Sequence, residues 1–423
     1  MSLKIIDVER IVVDVPYTLR QQEIAVRTVY NWSILELCKV TTDAGFVGWG
    51  ETVVHYTYAQ VTDTSVQRVL GKSPADLMHD DSLGAGLQMA LYDVVGKALG
   101  VPCYKLMGQK VRDWVPISWW SNEASPEEWA GEAKDAVRLG YTTFKVKQRP
   151  WWDIIAQVTA VREVVPEGFK LDADSNGSMQ NAATAMPIMR KLQEYDLVAM
   201  FETPIPQNDI LGNRQLRQVI SRPIAMHFGQ PPYITAVREE VCDGFVIGGG
   251  ASQVIREGTL ASEASMPFWL QIVGDGLSTT WAAHLGAVLS HATWPAITCL
   301  NLYADHLITK PIEVLGGFHQ VPEGPGLGVE MNEDAIERHR VPAEALQACA
   351  KSGEVYNKQR PKIIRTVRYP DGSCVHMSSI TPGMRLAPYT PGVRTEAWHE
   401  DGTRDWEDLW DRIQEGAVRD RWA

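Results

Sequence analysis

Two lysines flank a single valine in "YTTFKVKQ", residues 141–148, and the apolar runs that follow close on carboxylates. Side chains of a strand alternate between its faces, so Lys145 and Lys147 share one face while Phe144 and Val146 share the other. "FKLDADSNG" ends its run on Asp172 and Asp174, and "LVAMFETP" ends on Glu202, 28 residues after Asp174. That spacing is one strand and one helix, so the two acids take equivalent positions on neighbouring strands. His227 ends the next run, "PIAMHF", 25 residues further on, and is in phase with them. Two hard oxygen donors and an imidazole on successive strands make a donor set for a divalent cation. The two lysines stand beside that donor set on the neighbouring strand. Each residue alone has a plainer explanation: lysines on the wet face of an edge strand, an acid as helix N-cap, a hydrogen-bonded histidine.

The elements that must position these groups decide between the two. Residues 1–110 read as an α+β domain: strands in "IIDVERIVVDVP" and "SILELCKVTTDAGFVGWGET", whose "TDAG" is a hairpin turn, then a helix through "LGAGLQMALYDVVGKALG". Residues 111–303 alternate short apolar strands with amphipathic helices. The strands fall at "VPISWW", "TTFKVK", "FKLDAD", "LVAMFE", "PIAMHF", "GFVIGG", "PFWLQI" and "AITCLNL". One intervening helix has Ser125 as N-cap, Pro126 in its first turn and Gly140 as its stop. Eight strands at a repeat of about 30 residues predict an α/β fold, a parallel (β/α)8 barrel. A closed barrel has no edge strand, so the edge explanation of the lysines loses its premise. Residues 304–423 are expected to return to the first domain and to carry an extension with a hairpin at "RYPDGSC".

Composition excludes several classes. Forty basic against 52 acidic residues leave a net charge of −12, with no basic patch for nucleic acid or an anionic membrane surface. The six cysteines are scattered, with no CxxC pair, as expected of reduced thiols in a cytoplasmic protein. No run of eighteen apolar residues suggests a membrane span.

The motifs, in their order, resemble the enolase superfamily and within it the mandelate racemase and muconate lactonizing enzyme group. The carriers are "ALYDVVGKALGVPCYKLMG" at 90–108, "KVK", "DSNG", "FETP", the "GGGAS" turn after the sixth strand and "PEGPGLG" at 322–328. The resemblance implies a modified, seven-helix barrel whose mouth is covered by the α+β capping domain. It implies a small-molecule carboxylate as substrate and a homo-oligomer. Loops near Tyr17 to Gln22, with Arg20, and near His55 to Tyr58, with Tyr56, would set specificity. Asp174 and Glu202 match the first two Mg²⁺ ligands, Lys147 the acid/base lysine and Lys145 the lysine beside it. The chemistry implied is removal of the proton next to a carboxylate, giving an enediolate that a divalent ion must stabilise.

Three positions depart from the family pattern. Its third metal ligand is a carboxylate where this chain has His227, which either ligates and tilts preference from Mg²⁺ towards Mn²⁺ or another transition metal, or sits in a metal-poor site. The sixth strand offers Val246 in place of a lysine, and the seventh offers Gln271 in place of a histidine. Asp243 then reads as a surface acid. Gln271 and Asp305 join Tyr17, Arg20, His55 and Tyr56 as candidate substrate contacts, His284 and His291 read as outer-helix residues, and His319 is a candidate to reach the site from a closing loop. With a base on one side only, syn dehydration of a hydroxy acid of sugar-acid type is expected. The alternatives are racemisation, epimerisation or cycloisomerisation within the same family, a catalytically impaired binding protein, and Schiff-base chemistry at Lys147.

Overall fold

The computed structural model of the protein describes residues 3–57, 59–352, 354–380 and 389–421; Tyr58, named above with the specificity loops, lies outside them. The chain forms two compact units, one of Met1–Gln22, Asn31–Trp120 and Phe245–Lys358, the other of Glu23–Tyr30, Ser121–Gly244 and Gln359–Ala423.

In the first unit, β1 (Ile5–Asp14), β2 (Ile34–Thr42) and β3 (Val47–Val53) form an antiparallel sheet. The turn at Thr42–Gly45 closes the β2–β3 hairpin, with Gly45 at φ +82. Helix Ala85–Leu99 packs on β3, and the approach is close because β3 carries Gly48 and Gly50: a Cβ there would collide with the carbonyls of Ala90 and Gly86.

The barrel strands are β4 (Trp114–Ser121), β5 (Thr143–Lys147), β6 (Lys170–Asp174), β7 (Val198–Glu202), β8 (Ile224–His227), β9 (Gly244–Ile247), β10 (Phe268–Leu270) and β11 (Ala296–Ile297). Every run read as a strand in the sequence contains one, although "AITCLNL" is a strand only at Ala296–Ile297. Seven α-helices alternate with them, and a 3-10 turn, Leu300–Leu302, follows β11 where an eighth helix would stand. Helix Pro126–Arg138 begins as expected, with Ser125 and Glu128 in a reciprocal capping box that satisfies two otherwise orphaned amides. In the first unit β11 pairs with β4 in parallel, and Gln271 bridges to Ile297, closing the run of strands. In the second unit β5, β6, β7 and β8 pair in parallel.

A short strand, β12 (Phe318–Gln320), runs antiparallel to β4 and sets His319 against Val115, near the start of β4. His319 is therefore at the N-terminal end of that barrel strand, away from the end where barrel active sites lie, and burial pushes its imidazole down to about 4. It does not approach from a closing loop.

Residues after 303 part company. Up to Lys358 they lie in the first unit, where Lys358 meets Asp14 and Tyr356 O meets His55. The extension forms β13 (Ile363–Arg368), β14 (Ser373–Met377), β15 (Arg394–His399) and β16 (Val418–Arg421) in the order β15-β13-β14-β16, with the expected hairpin between β13 and β14. It belongs to the second unit rather than to the first domain, because Trp151 and Trp152, in the loop after β5, supply an apolar surface that Val367, Val375, Met377, Ile380 and Val393 bury. No helix among the described residues is long and apolar enough to cross a membrane.

Candidate active site

Five ionisable groups meet on the inward face of β5, β6 and β7. Parallel pairing sets Lys145 opposite Asp172, Lys147 opposite Asp174, and Asp174 opposite Glu202. Because side chains alternate, all of these point to one side, while Phe144 and Val146 pack outward. The Lys145 ammonium is ion-paired with Glu202 and lies 3.6 Å from Asp174 Oδ2; Lys147 is ion-paired with Asp174. Lys145, Asp174 and Glu202 are wholly buried, whereas the Lys147 side chain is 16% exposed, the more open of these two lysines.

Burial at this density forces mutual compensation. Desolvation by itself would push the Lys145 ammonium down, but Glu202, Asp174 and Asp172 hold it above its ordinary value. Burial likewise would push the Glu202 carboxyl up, and Lys145, with His227 and Lys147 behind it, holds it far below the usual range. Asp172 goes the other way: burial raises it well above the usual carboxylate range, with Lys145 opposing and the neighbouring acids adding to the rise. Its Oδ1 is buried without a hydrogen-bond partner.

His227 stands differently from the expectation of equal phase. Glu202 pairs with Ala225, so His227 is two residues, one pleat, beyond the level of the acids. Its side chain recovers the distance: Nε2 is 3.3 Å from Glu202 Oε1, and Gln207 Oε1 accepts from its backbone amide at 2.7 Å.

Three comparisons with known proteins bear on this arrangement. Residues 7–108 match the mandelate racemase / muconate lactonizing enzyme N-terminal domain, and residues 128–335 match the enolase C-terminal domain-like family. The chain belongs to the mandelate racemase/muconate lactonizing enzyme group of the enolase superfamily. It is 26% identical to the N-succinyl-L-Arg/Lys racemase of Bacillus cereus over 332 residues, 71% of this chain and 89% of that one. It is 24% identical to the arabinonate dehydratase of Saccharolobus solfataricus over 338 residues, with the same two shares. The crystal structure of a mandelate racemase/muconate lactonizing family protein from Azoarcus sp. EbN1 superposes with a TM-score of 0.65 at 27% identity, covering 80% of this chain and 98% of that one. Enolase-superfamily chemistry is thus the frame for the site.

Members of this superfamily use Mg²⁺. In kind, the donors here fit such an ion: two fully buried, level carboxylates, an imidazole nitrogen beside one of them, and a buried Asp172 oxygen with no hydrogen-bond partner. In geometry, no three His, Cys, Asp or Glu side chains among the described residues converge on one point, and the Lys145 ammonium is paired with Glu202 and close to Asp174.

The remaining candidates in this enolase-superfamily chain are dispersed, all but Asp243 in the first unit. Tyr17 is buried and bridges to Tyr303, with the Lys358 ammonium 5.7 Å from its ring centre. Arg20 is half-buried in helix Leu19–Ala25. His55 Nε2 lies 2.8 Å from Tyr356 O. The Tyr56 ring lies 4.3 Å from that of Trp32, tilted by 50°, and Gln271 Nε2 donates to the Tyr56 hydroxyl at 2.7 Å, so Tyr56 and Gln271 do meet. Asp305 is committed elsewhere: Oδ2 accepts from Arg338 at 3.0 Å and lies 2.9 Å from His339 Nε2. Asp243 precedes β9, at the N-terminal end of the strand, and pairs with Arg217 at 2.8 Å. His284 is buried against Leu327 O, and His291 pairs with Ser290.

Sequence reasoning missed Arg149, whose guanidinium donates to the Asp174 carbonyl at 3.3 Å and to Asn176 Oδ1 at 2.8 Å, tying the loop after Lys147 to the loop after Asp174. Its place two residues beyond Lys147 was the available signal.

Proposed function

We propose that the protein removes the proton α to the carboxylate of a small hydroxy acid, with Lys147 as base, and carries the reaction through to syn dehydration. Lys147, as the neutral amine, takes the Cα proton; the C–H electron pair passes into the carboxylate as an enediolate. That pair then returns to form the Cα–Cβ double bond as the β-C–O bond breaks. The Lys147 ammonium gives its proton to the departing hydroxyl as water, and the enol product becomes a 2-keto acid. Lys145, charged and fixed by Glu202, keeps positive potential beside Lys147. Asp174 and Glu202, with His227 as third donor, would hold the divalent ion, which when bound neutralises the charge that develops on the substrate carboxylate.

The observation that carries dehydration over racemisation is the fate of the other candidate bases. Val246 does not titrate, Gln271 is hydrogen-bonded to Tyr56, Asp305 is paired with Arg338 and His339, and Asp243 with Arg217. One lysine serves one face of a planar intermediate. Incubation with a library of sugar acids in D₂O should yield a 2-keto acid, and any α-exchange should proceed with retention and vanish in Lys147→Ala. Formation of both enantiomers from one pure enantiomer would overturn the assignment.

The position of Lys145 favours one second reading, a carboxylate-binding protein without turnover, because its ammonium already compensates the acids that would hold an ion. A divalent-ion titration with no uptake, together with no α-exchange across the library, would select it.

A further inference from the structure

The extension, β13 to β16, lies beyond the segments matched to the family, which end at residue 335. Within the second unit it grips the two loops that begin at the candidate catalytic residues. Glu123, just after β4, is almost fully buried; its Oε1 accepts from Arg365 Nη1 of β13 at 2.9 Å, and its Oε2 accepts from Trp151 Nε1. Burial would push the Glu123 carboxyl up, but Arg365 holds it low, so both partners stay charged. Thr395 Oγ1 of β15 donates to Trp151 O at 2.8 Å, Asp153 N donates to Val393 O at 3.0 Å, and Gly392 N donates to Asp153 Oδ2 at 2.7 Å. Trp151 and Trp152 are buried in the apolar cluster described above. At the other loop, the Tyr389 hydroxyl lies 3.1 Å from Ser178 Oγ, four residues beyond Asp174. Arg149 links the two loops through the Asp174 carbonyl and Asn176.

We propose that the C-terminal sheet is a positioning element of the active site: Arg365 acting through Glu123 and Trp151, Thr395 through the Trp151 carbonyl, and Tyr389 through Ser178, fix the loops that start at Lys147 and Asp174. These are positioning residues, since none of them touches Lys147 or the acids. The arrangement suits a reaction in which a lysine amine must sit within hydrogen-bond reach of a weakly acidic C–H, where a displacement of about 1 Å costs on the order of a hundredfold in rate. The proposal rests on the reading of Lys147 as base only for its kinetic arm.

The test uses the full chain in four forms: Arg365→Met, Thr395→Val, Tyr389→Phe, and the neutral pair Glu123→Gln with Arg365→Met. Amide hydrogen exchange is followed at residues 148–153 and 174–180, with helix Arg404–Gln414 as internal reference. Arg365→Met should speed exchange in the first loop at least tenfold and leave the reference unchanged; the neutral pair, which strands no buried charge, should restore most of the protection. Thr395→Val and Tyr389→Phe each remove one contact without stranding a charge, and should loosen only their own loop, so the proposal stays testable if Arg365→Met fails to fold. With a substrate in hand, kcat should fall at least tenfold and KM by less than threefold. Unchanged loop exchange in Thr395→Val and Tyr389→Phe, equal loosening of loop and reference helix, or loosened loops with unchanged kcat would each overturn the proposal. An inactive wild type with loosened loops in the variants would instead remove the dehydration reading and leave the positioning role standing.

Discussion

Replacing Lys145 with methionine keeps its volume and removes the charge that Glu202 depends on. Asp174 retains Lys147 as partner, so the substitution leaves one carboxylate, Glu202, in a wholly buried position with the His227 imidazole at 3.3 Å in place of a fixed ammonium. Breaking a buried ion pair from one side costs about 3–5 kcal/mol. In a chain of 423 residues this corresponds to a fall in Tm of about 4–6 °C. The pH dependence should change sign as well. In the wild type the Glu202 carboxyl is held below its unfolded value, so its contribution is present at neutral pH and is lost as pH falls through the acid range. In Lys145→Met the burial that pushes the carboxyl up loses its main opponent. The folded pKa then exceeds the unfolded one, and stability should increase from pH 7 towards pH 5. Divalent cations supply a second readout. In the variant no ammonium competes for Glu202, so at one fixed Mn²⁺ concentration it should gain more stability than the wild type, each form gaining about 2.7 kcal/mol where that concentration is a hundred times its own Kd. Thermal unfolding at pH 5 and pH 7, with and without Mn²⁺, measures all three. A variant of wild-type stability with an unaltered pH slope would refute the claim that Lys145 neutralises Glu202.

Three further outcomes follow from particular contacts. Removing the Asp174 or Glu202 carboxylate with alanine should abolish divalent binding measured by calorimetry, and His227→Ala should weaken it at least tenfold; unchanged affinity in the histidine variant would take it out of the coordination shell. Glu51, buried beside Asp275, is pushed up to about 8, first by desolvation and then by that neighbouring carboxylate. Its contribution is therefore full below about pH 4.5 and is lost as pH rises towards 8, at a slope of about 1.4 kcal/mol per pH unit, and Glu51→Gln should flatten the Tm profile between pH 5.5 and 8. Gly50→Ala drives a methyl into the Gly86 carbonyl and should cost about 1–3 kcal/mol by urea unfolding; a neutral effect would mean that helix Ala85–Leu99 can retreat from β3.

Much of this was legible in the sequence because it rests on local rules. Period-two alternation put Lys145 and Lys147 on one face, the Ser125 box announced its helix, and a strand–helix repeat placed Asp174 level with Glu202, as the register has it. His227 shows where such counting stops. The number of residues between strands does not fix their register, and β8 enters so that Ala225, not His227, is level with Glu202. The role of Asp305 was hidden for another reason: its partners Arg338 and His339 come from a helix some thirty residues on, and nothing local marks a carboxylate as already paired. The extension is the extreme case. Arg365 and Glu123 are 242 residues apart, and two adjacent tryptophans after a strand look like loop residues until the sheet that covers them is in place.

The two buried charge systems of the second unit differ in a way that divides their labour. Around Lys145 the balance is uneven: three acids face two lysines, and burial pushes the Asp172 carboxyl well above the usual carboxylate range. Lys147 is the exposed member of this set, so an incoming charge meets it before the buried residues. Between Arg365 and Glu123 the balance is closed: one charge of each sign, both buried, with Trp151 on the remaining carboxylate oxygen. Such a pair has little to gain by exchanging protons and much to lose by parting, so it transmits position without altering the charge of the site. An uneven balance then stands beside a closed one, because the loop after Lys147 belongs to both.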